Sequence, residues 1–401
     1  MPKYLSLRSG LSSVLFWSVI SAAFIGPGSV TACAMAGSRF GLSLLWVLTF
    51  ATFGTVWLQE AAARITLVTG QDLGQVIVKS YGPKTGRRVA WVLFLAIFLG
   101  CAAYQAGNIL GAVSGLALLT GLSQPVLTGL VGLVCGLLLA TGSTAFIANF
   151  LGIVVFAMGG AFAYAALGAP VGAGELAQAL VVPAVPDGSL LLINSLIGTT
   201  IVPYNLFFGS SIVPSSGASI RQGLFDMRLG IWVAVGIGGL ISVVLLLVGL
   251  LIPGDFSYAQ MAEVLTQRVG PWAGRLFAFG LFAAGFASSL TAPLAAAVTG
   301  RSLLGIRSDS VAYRTTWLLV LATGVTFGLM NATPIPVIVA VQAINGVLLP
   351  FVTIFLWRAV NNRQLLGDAH RNTLSQNGAM GLVVLVTAVL GLWNVWLVFT
   401  G

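Results

Sequence analysis

Two short stretches of the chain carry residue types that could hold a small ion. Gly26-Pro27-Gly28-Ser29 stands inside "SAAFIGPGSVTACAMAG" (residues 21–37), and Val202-Pro203-Tyr204-Asn205 stands inside "LINSLIGTTIVPYNLFFGSS" (residues 192–211). Proline lacks an amide donor and its ring clashes with the preceding turn, while glycine removes side-chain restraint. Each stretch therefore interrupts a helix. A helix resuming at Ser29, with Ser29 as its N-cap, exposes unpaired amides and the positive end of a half-helix dipole, which together suit an anion. Tyr204 adds a hydroxyl, and Asn205 and Gln342 add neutral hydrogen-bonding groups. With Gly26, Gly28 and Val202 these residues form the expected substrate-binding set. No Arg or Lys falls among them, so a monovalent anion or a small polar neutral molecule fits better than sulfate or phosphate.

The elements that must position these residues are membrane spans. The chain has 401 residues, of which 58% are hydrophobic and 7% charged, and its mean hydropathy is +1.03. A soluble domain of that length cannot bury so much apolar side chain. The apolar runs are roughly 20 residues or longer, as helices need, against about 10 alternating residues for a barrel strand. An all-α polytopic membrane protein follows, a single transmembrane domain over 1–401. Polar, Gly/Pro and basic clusters divide it into about eleven spans, near 12–37, 42–67, 89–118, 123–142, 144–167, 190–214, 229–252, 272–300, 314–331, 335–357 and 378–400.

Connecting loops carrying Lys3, Arg8, Lys79, Lys84, Arg87, Arg88, Arg221, Arg228, Arg301, Arg307, Arg314, Arg358, Arg363 and Arg371 fall on one side. The opposite side has the 168–189 loop, with Glu175 and Asp187 but no basic residue, and the 253–271 loop. The positive-inside rule then puts the N-terminus in the cytoplasm and the C-terminus outside, with a bacterial plasma membrane as the expected location. The net charge of +9 is accounted for by this bias, not by nucleic-acid binding. Lys3 and Arg8 before an apolar run imitate a signal peptide, but the many further spans favour a first transmembrane helix. Cys33, Cys101 and Cys135 lie within spans without metal-ligand spacing and read as small packing residues. His370 stands alone in a basic loop, and no Ser/His/Asp set, phosphate loop or CxxC pair supports an enzyme. "GAVSG" and "GIGG" read as close-packing sites, and Trp91, Trp272 and Tyr258 as interfacial anchors.

The two interrupted spans, first and sixth, occupy matching places if the first ten spans form two halves of about five helices with one appended, the pattern of inverted-repeat transporters. At this point "GPGSVTACAMAGSRFGLSLLWVL", "LQEAAARITLVTGQDLGQVI", "AGNILGAVSGLALLTG", "TTIVPYNLFFGSS", "FASSLTAPLAAAVTGR" and "QAINGVLLPFVTIFLWRAVNNRQLLG" resemble, in order, the natural resistance-associated macrophage protein (Nramp) family. The resemblance implies the inverted-repeat fold shared with amino-acid and sodium-coupled transporters, and alternating access.

It also implies a metal site that this chain alters. The family's Asp and Asn of helix 1 fall at Gly26 and Ser29, its Met and His of helix 6 at Val202 and Tyr204, and the acidic pair of helix 3 at Gln105 and Asn108. Transition metals want carboxylate, thioether, imidazole or thiolate, and Mg²⁺ wants at least a carboxylate. No credible carboxylate remains at the expected centre; Glu60 lies near the cytoplasmic end of span 2 and reads as a helix-surface ion pair with Arg64 four residues on. The expectation is therefore a secondary transporter for a small monovalent anion such as bicarbonate. An inward-moving anion opposes the membrane potential by roughly 2.3 kcal/mol per 100 mV, so a coupling cation is expected. Ser288, Ser289 and Thr291 resemble the hydroxyl pair of related sodium-coupled transporters and form a candidate Na⁺ site, against the plainer reading of packing and back-bonding. The alternatives are a divalent cation such as Mg²⁺ or Mn²⁺ carried largely hydrated, a small neutral solute, and a non-transporting sensor on the same scaffold.

Overall fold

The computed structural model describes residues 26–141, 145–211 and 220–400. The first half of span 1, residues 12–25, lies outside the described residues. What is described is helical throughout, with no strand among the described residues.

The broken span 1 enters at α1, Pro27–Phe40, followed by α2, Leu45–Thr69. A short helix α3, Leu73–Ser80, leads into the long α4, Pro83–Thr120. Then come α5, Gln124–Thr141, and α6, Ala145–Ala166. The 168–189 loop holds a one-face helix α7, Ala173–Val181, all of it above the core. Span 6 is two pieces, α8, Leu190–Thr200, and α9, Pro203–Ser211. Next are α10, Ile220–Gly249, and the loop helix α11, Tyr258–Arg268. The chain continues through α12, Pro271–Leu304, α13, Val311–Leu329, and α14, Pro334–Val360. A short α15, Arg363–His370, precedes α16, Leu374–Thr400.

Seven of these segments are long and apolar enough to cross a membrane by length and composition, among them Pro83–Thr120, Leu190–Ser211 and Pro271–Leu304. The other expected spans fall short for visible reasons. In α2, Gln59, Glu60 and Arg64 dilute the apolar run, and in α13 Tyr313 and Arg314 occupy the first turn. Their apolar content is still placed as a span requires, because α2 buries Leu45, Leu48, Leu58 and Ile65 in the shared core.

The described parts of the two broken spans are largely enclosed. Every residue of α8 except Leu191 is buried, and so is α1 from Pro27 through Ala34. α8 lies directly on α14 because Gly198 has no side chain: a methyl there would overlap the Gln342 carbonyl and stand 2.7 Å from the Gly346 amide.

The charge sorting is less one-sided than the loops suggest. The end bearing the 168–189 loop also holds Arg39, paired with Asp255 at 3.1 Å, and Arg268 at the last turn of α11. The anchor reading fits Trp91 and Trp272, which are 48% and 57% exposed, but not Tyr258, which is 7% exposed. Tyr258 is turned inward because its hydroxyl finds a buried partner on α1, as a buried tyrosine requires.

Candidate functional site

The break in span 1 is built by Pro27. Its missing amide costs nothing at the first helical position, so α1 starts there with Gly26 as N-cap, not at Ser29. The first helical bond runs from the Val30 amide to the Gly26 carbonyl at 3.3 Å. Ser29 thus stands inside the first turn, and its hydroxyl meets the Thr199 hydroxyl of α8 at 3.0 Å across the break.

Three contacts seat this turn. Pro27 rests on Gly111 of α4, where a side chain would collide with the proline ring. The "GAVSG" segment therefore does more than allow close packing. Gly28 lies against the Gln342 carboxamide, which occupies the place a Cβ would take, with Thr199 Oγ1 at 3.0 Å from the same point. Thr31 donates to the Pro27 carbonyl at 2.7 Å and sits 2.7 Å from the Tyr258 hydroxyl. A threonine has one hydroxyl hydrogen, so Tyr258 is the donor of the second bond.

Gly26 differs from Gly28. Its backbone (φ −98°, ψ 177°) is one any residue adopts, and an added Cβ would stand an ordinary 3.5 Å from Ser288 Oγ. The position is open to a side chain.

The break in span 6 is built by Pro203. A helix ends with four carbonyls lacking amide partners, and in α8 these belong to Gly198, Thr199, Thr200 and Ile201. The partner of Thr199 would have been residue 203, whose nitrogen carries no hydrogen. Gly198 accepts instead from the Tyr104 hydroxyl of α4, and Thr200 accepts from Thr55 of α2 at 3.1 Å. The Asn205 amide turns to the Val202 carbonyl at 3.1 Å, and Val202 is buried beside it.

The expected residues thus meet in part. Gly28, Ser29 and Gln342 come together, joined by Thr199, and the Gln342 Oε1 atom is buried without a partner. Gly26 and Ser288 form a second pair alongside. Tyr204 faces elsewhere: it lines a narrow crevice with Gly100, Asn345 and Leu348, its ring edge-on to Tyr104 with centroids 5.4 Å apart. Asn205 lines a separate cavity with Gln59 and Ser210, of about 10 Å³, room for about one water, and its Nδ2 atom has no partner. The described residues around Tyr204 and Asn205 thus leave little open space. Ser289 donates to Gly285 at 2.8 Å and Thr291 to Ala287 at 2.9 Å within α12, so of the three hydroxyls it is Ser288 that faces a break. Gln105 donates to the Ser289 carbonyl at 3.1 Å, and Asn108 is buried beside it on α4.

Sequence reading missed Thr199 and Tyr104. Thr199 carried a usable signal, since it lies four residues before Pro203. Tyr104 carried none, because its partner is 94 residues away.

Glu60 is an ion-pair residue, buried and bonded to Arg64 at 3.2 Å. Arg228 of α10 joins it at 2.9 Å, and Arg64 also donates to the His370 carbonyl at 2.7 Å and to Asn372 Oδ1 at 2.5 Å. Cys33, Cys101 and Cys135 are buried and unpaired, and no three His, Cys, Asp or Glu side chains gather among the described residues.

Comparison with known proteins now applies. Residues 18–397 match the family model described as natural resistance-associated macrophage protein-like. The chain is 25% identical to the divalent metal cation transporter MntH of Chromohalobacter salexigens over 95% of this chain and 90% of that one. It is 25% identical to MntH of Yersinia enterocolitica, covering 92% and 90%. Among solved structures, a manganese transporter of Eremococcus coleocola superposes with a TM-score of 0.77 at 18% identity, over 98% of this chain and 88% of that one. The nucleobase-cation-symport transporter Mhp1 in a closed conformation superposes with a TM-score of 0.60 at 18% identity, over 95% and 91%. The fold is thus the inverted repeat of two five-helix halves, with spans 1 and 6 unwound, and the chain is an integral membrane transporter, not an enzyme, belonging to the Nramp-like family.

Proposed function

We propose that this protein carries divalent metal cations by alternating access, and that it takes the ion with most of its hydration shell. The observation that carries the reading is the Thr199 carbonyl, left open by Pro203 at the negative end of the α8 dipole. The hydroxyl of the same residue meets the Ser29 hydroxyl at 3.0 Å, and Gln342, packed on Gly28, keeps an unpartnered Oε1. Full-length relatives named as divalent metal cation transporters support the substrate class. The set holds no carboxylate, so the ion, Mg²⁺ or Mn²⁺, meets carbonyl and hydroxyl oxygens through the waters it keeps. With Gly26, Val202 and Tyr204 in place of softer or charged ligands, ions chosen by thioether or imidazole gain little. The relatives named as metal cation transporters weigh for a cation over bicarbonate, and the carbonyl end of α8 offers oxygens that a cation can use. A cation moving inward also falls down the membrane potential, by roughly 2.3 kcal/mol per charge per 100 mV, and needs no Na⁺.

A second reading rests on the N-terminal end of α1, the positive end of its dipole. On it the substrate is a small monovalent anion such as bicarbonate, with Na⁺ at Ser288, Ser289 and Thr291. In either case we place the protein in a bacterial plasma membrane with the N-terminus inside and the C-terminus outside.

Proteoliposomes decide between them. Uptake of Mg²⁺ or Mn²⁺ followed by an internal indicator, faster with an inside-negative potential, is the expected result. Sodium-dependent bicarbonate entry without metal uptake would replace the first reading by the second.

A further inference from the structure

The carbonyls at the end of α8 do not share one fate. Thr199 is left open by Pro203, while its neighbour Gly198 is taken by the Tyr104 hydroxyl. Thr200 receives only part of a hydroxyl, since Thr55 also bonds the Ala51 carbonyl at 2.8 Å, closer than the 3.1 Å to Thr200. Tyr104 is 4% exposed, and its ring meets Tyr204 edge-on at an interplanar angle of 88°. It therefore touches both sides of the break, the Gly198 carbonyl of α8 and the Tyr204 ring in the first turn of α9. The rotation of α4 that aims Tyr104 this way is held by the next residue, because Gln105 points to α12 and bonds the Ser289 carbonyl at 3.1 Å.

We infer that Tyr104 is a positioning residue that sets how many protein oxygens the break offers to a cation, and hence which cation is preferred. The inference rests on the divalent-cation reading above. With the Gly198 carbonyl occupied, the ion meets a sparse ligand set and must keep water. Mg²⁺ tolerates this, since it holds its waters tightly, whereas Ca²⁺ gathers about six to eight oxygens and is disfavoured. Removing the Tyr104 hydroxyl frees a second carbonyl next to Thr199.

The test is Tyr104→Phe, which keeps the ring and its contact with Tyr204. Uptake of Mg²⁺ and of Ca²⁺ is measured separately in proteoliposomes for the wild type and the variant. The expected result is a Ca²⁺ to Mg²⁺ rate ratio raised by about fivefold, the scale of one neutral hydrogen-bonding group. A purely structural role would lower both rates and leave the ratio unchanged, and that outcome overturns the inference while sparing the cation reading. If the wild type moves neither ion, both fall together. Should Tyr104→Phe not fold, as judged by size exclusion, Thr55→Val decides: it frees the Thr200 carbonyl with little change of shape, and a smaller rise in the same ratio supports the inference, while no rise overturns it.

Discussion

The two interrupted spans use one device, a proline at membrane depth, but they are held in opposite ways. The first is held by shape. Pro27 sits on Gly111, Gly28 lies on the Gln342 carboxamide, and the turn presents the amide end of α1. The second is held by hydrogen bonds. Tyr104 and Thr55 bind carbonyls at the end of α8, and what remains free is a carbonyl. The difference teaches that a helix break has a polarity set by which terminus is fixed and how. Packing cannot satisfy a carbonyl, so the second break takes donors from the neighbouring helices α4 and α2, while in the first the Pro27 carbonyl finds its donor, Thr31, within α1 itself.

The largest expected effect breaks the second region's packing. Gly198→Ala drives a methyl into the backbone of α14, and overpacking against backbone costs about 3 kcal/mol. A thermal midpoint in detergent equal to wild type would mean the α8–α14 contact is looser than described. In the first region, Gly111→Ala presses on the Pro27 ring, with an expected loss of about 2 kcal/mol, while Gly129→Ala on α5, which faces open space, leaves the midpoint unchanged.

Gly26→Asp sharpens the comparison by giving the first break a negative charge. Its backbone accepts a side chain without strain, so the thermal midpoint holds and Mn²⁺ affinity rises by about tenfold, or about 1.4 kcal/mol. Titration calorimetry showing unchanged affinity would place the substrate away from Gly26. The smallest effect is expected from Thr31→Val, which removes the link from Tyr258 through Thr31 to the Pro27 carbonyl, at about 1 kcal/mol. Tyr258→Phe removes the outer bond alone, and the double variant should cost no more than about 0.5 kcal/mol beyond Thr31→Val, since that substitution already breaks both bonds.

Much of the fold is legible along the chain because its cause is local. A run of apolar side chains as long as the bilayer is thick has to be a helix, and a proline within it has to leave a carbonyl four residues earlier without its partner. The spans, both breaks and the Glu60–Arg64 pair at i,i+4 follow from such rules. The start of α1 shows where local reasoning misleads. Ser29 has the side chain of an N-cap, but Pro27 fits the first helical position and moved the start two residues earlier, leaving Ser29 to bond Thr199.

What the sequence by itself determined is where helices run, where they stop, and which backbone groups are set free there. Each of these depends on covalent structure and on neighbours within about one turn. Which partner each group meets was decided by tertiary structure alone: the freed Gly198 carbonyl with Tyr104, the Ser29 hydroxyl with Thr199, Gly28 with Gln342, and the Glu60 carboxylate with Arg228. These pairs join residues on different helices, and they depend on the rotation and height of one helix against another. The 3.6-residue period reveals which face of a helix is buried, but not what that face will meet.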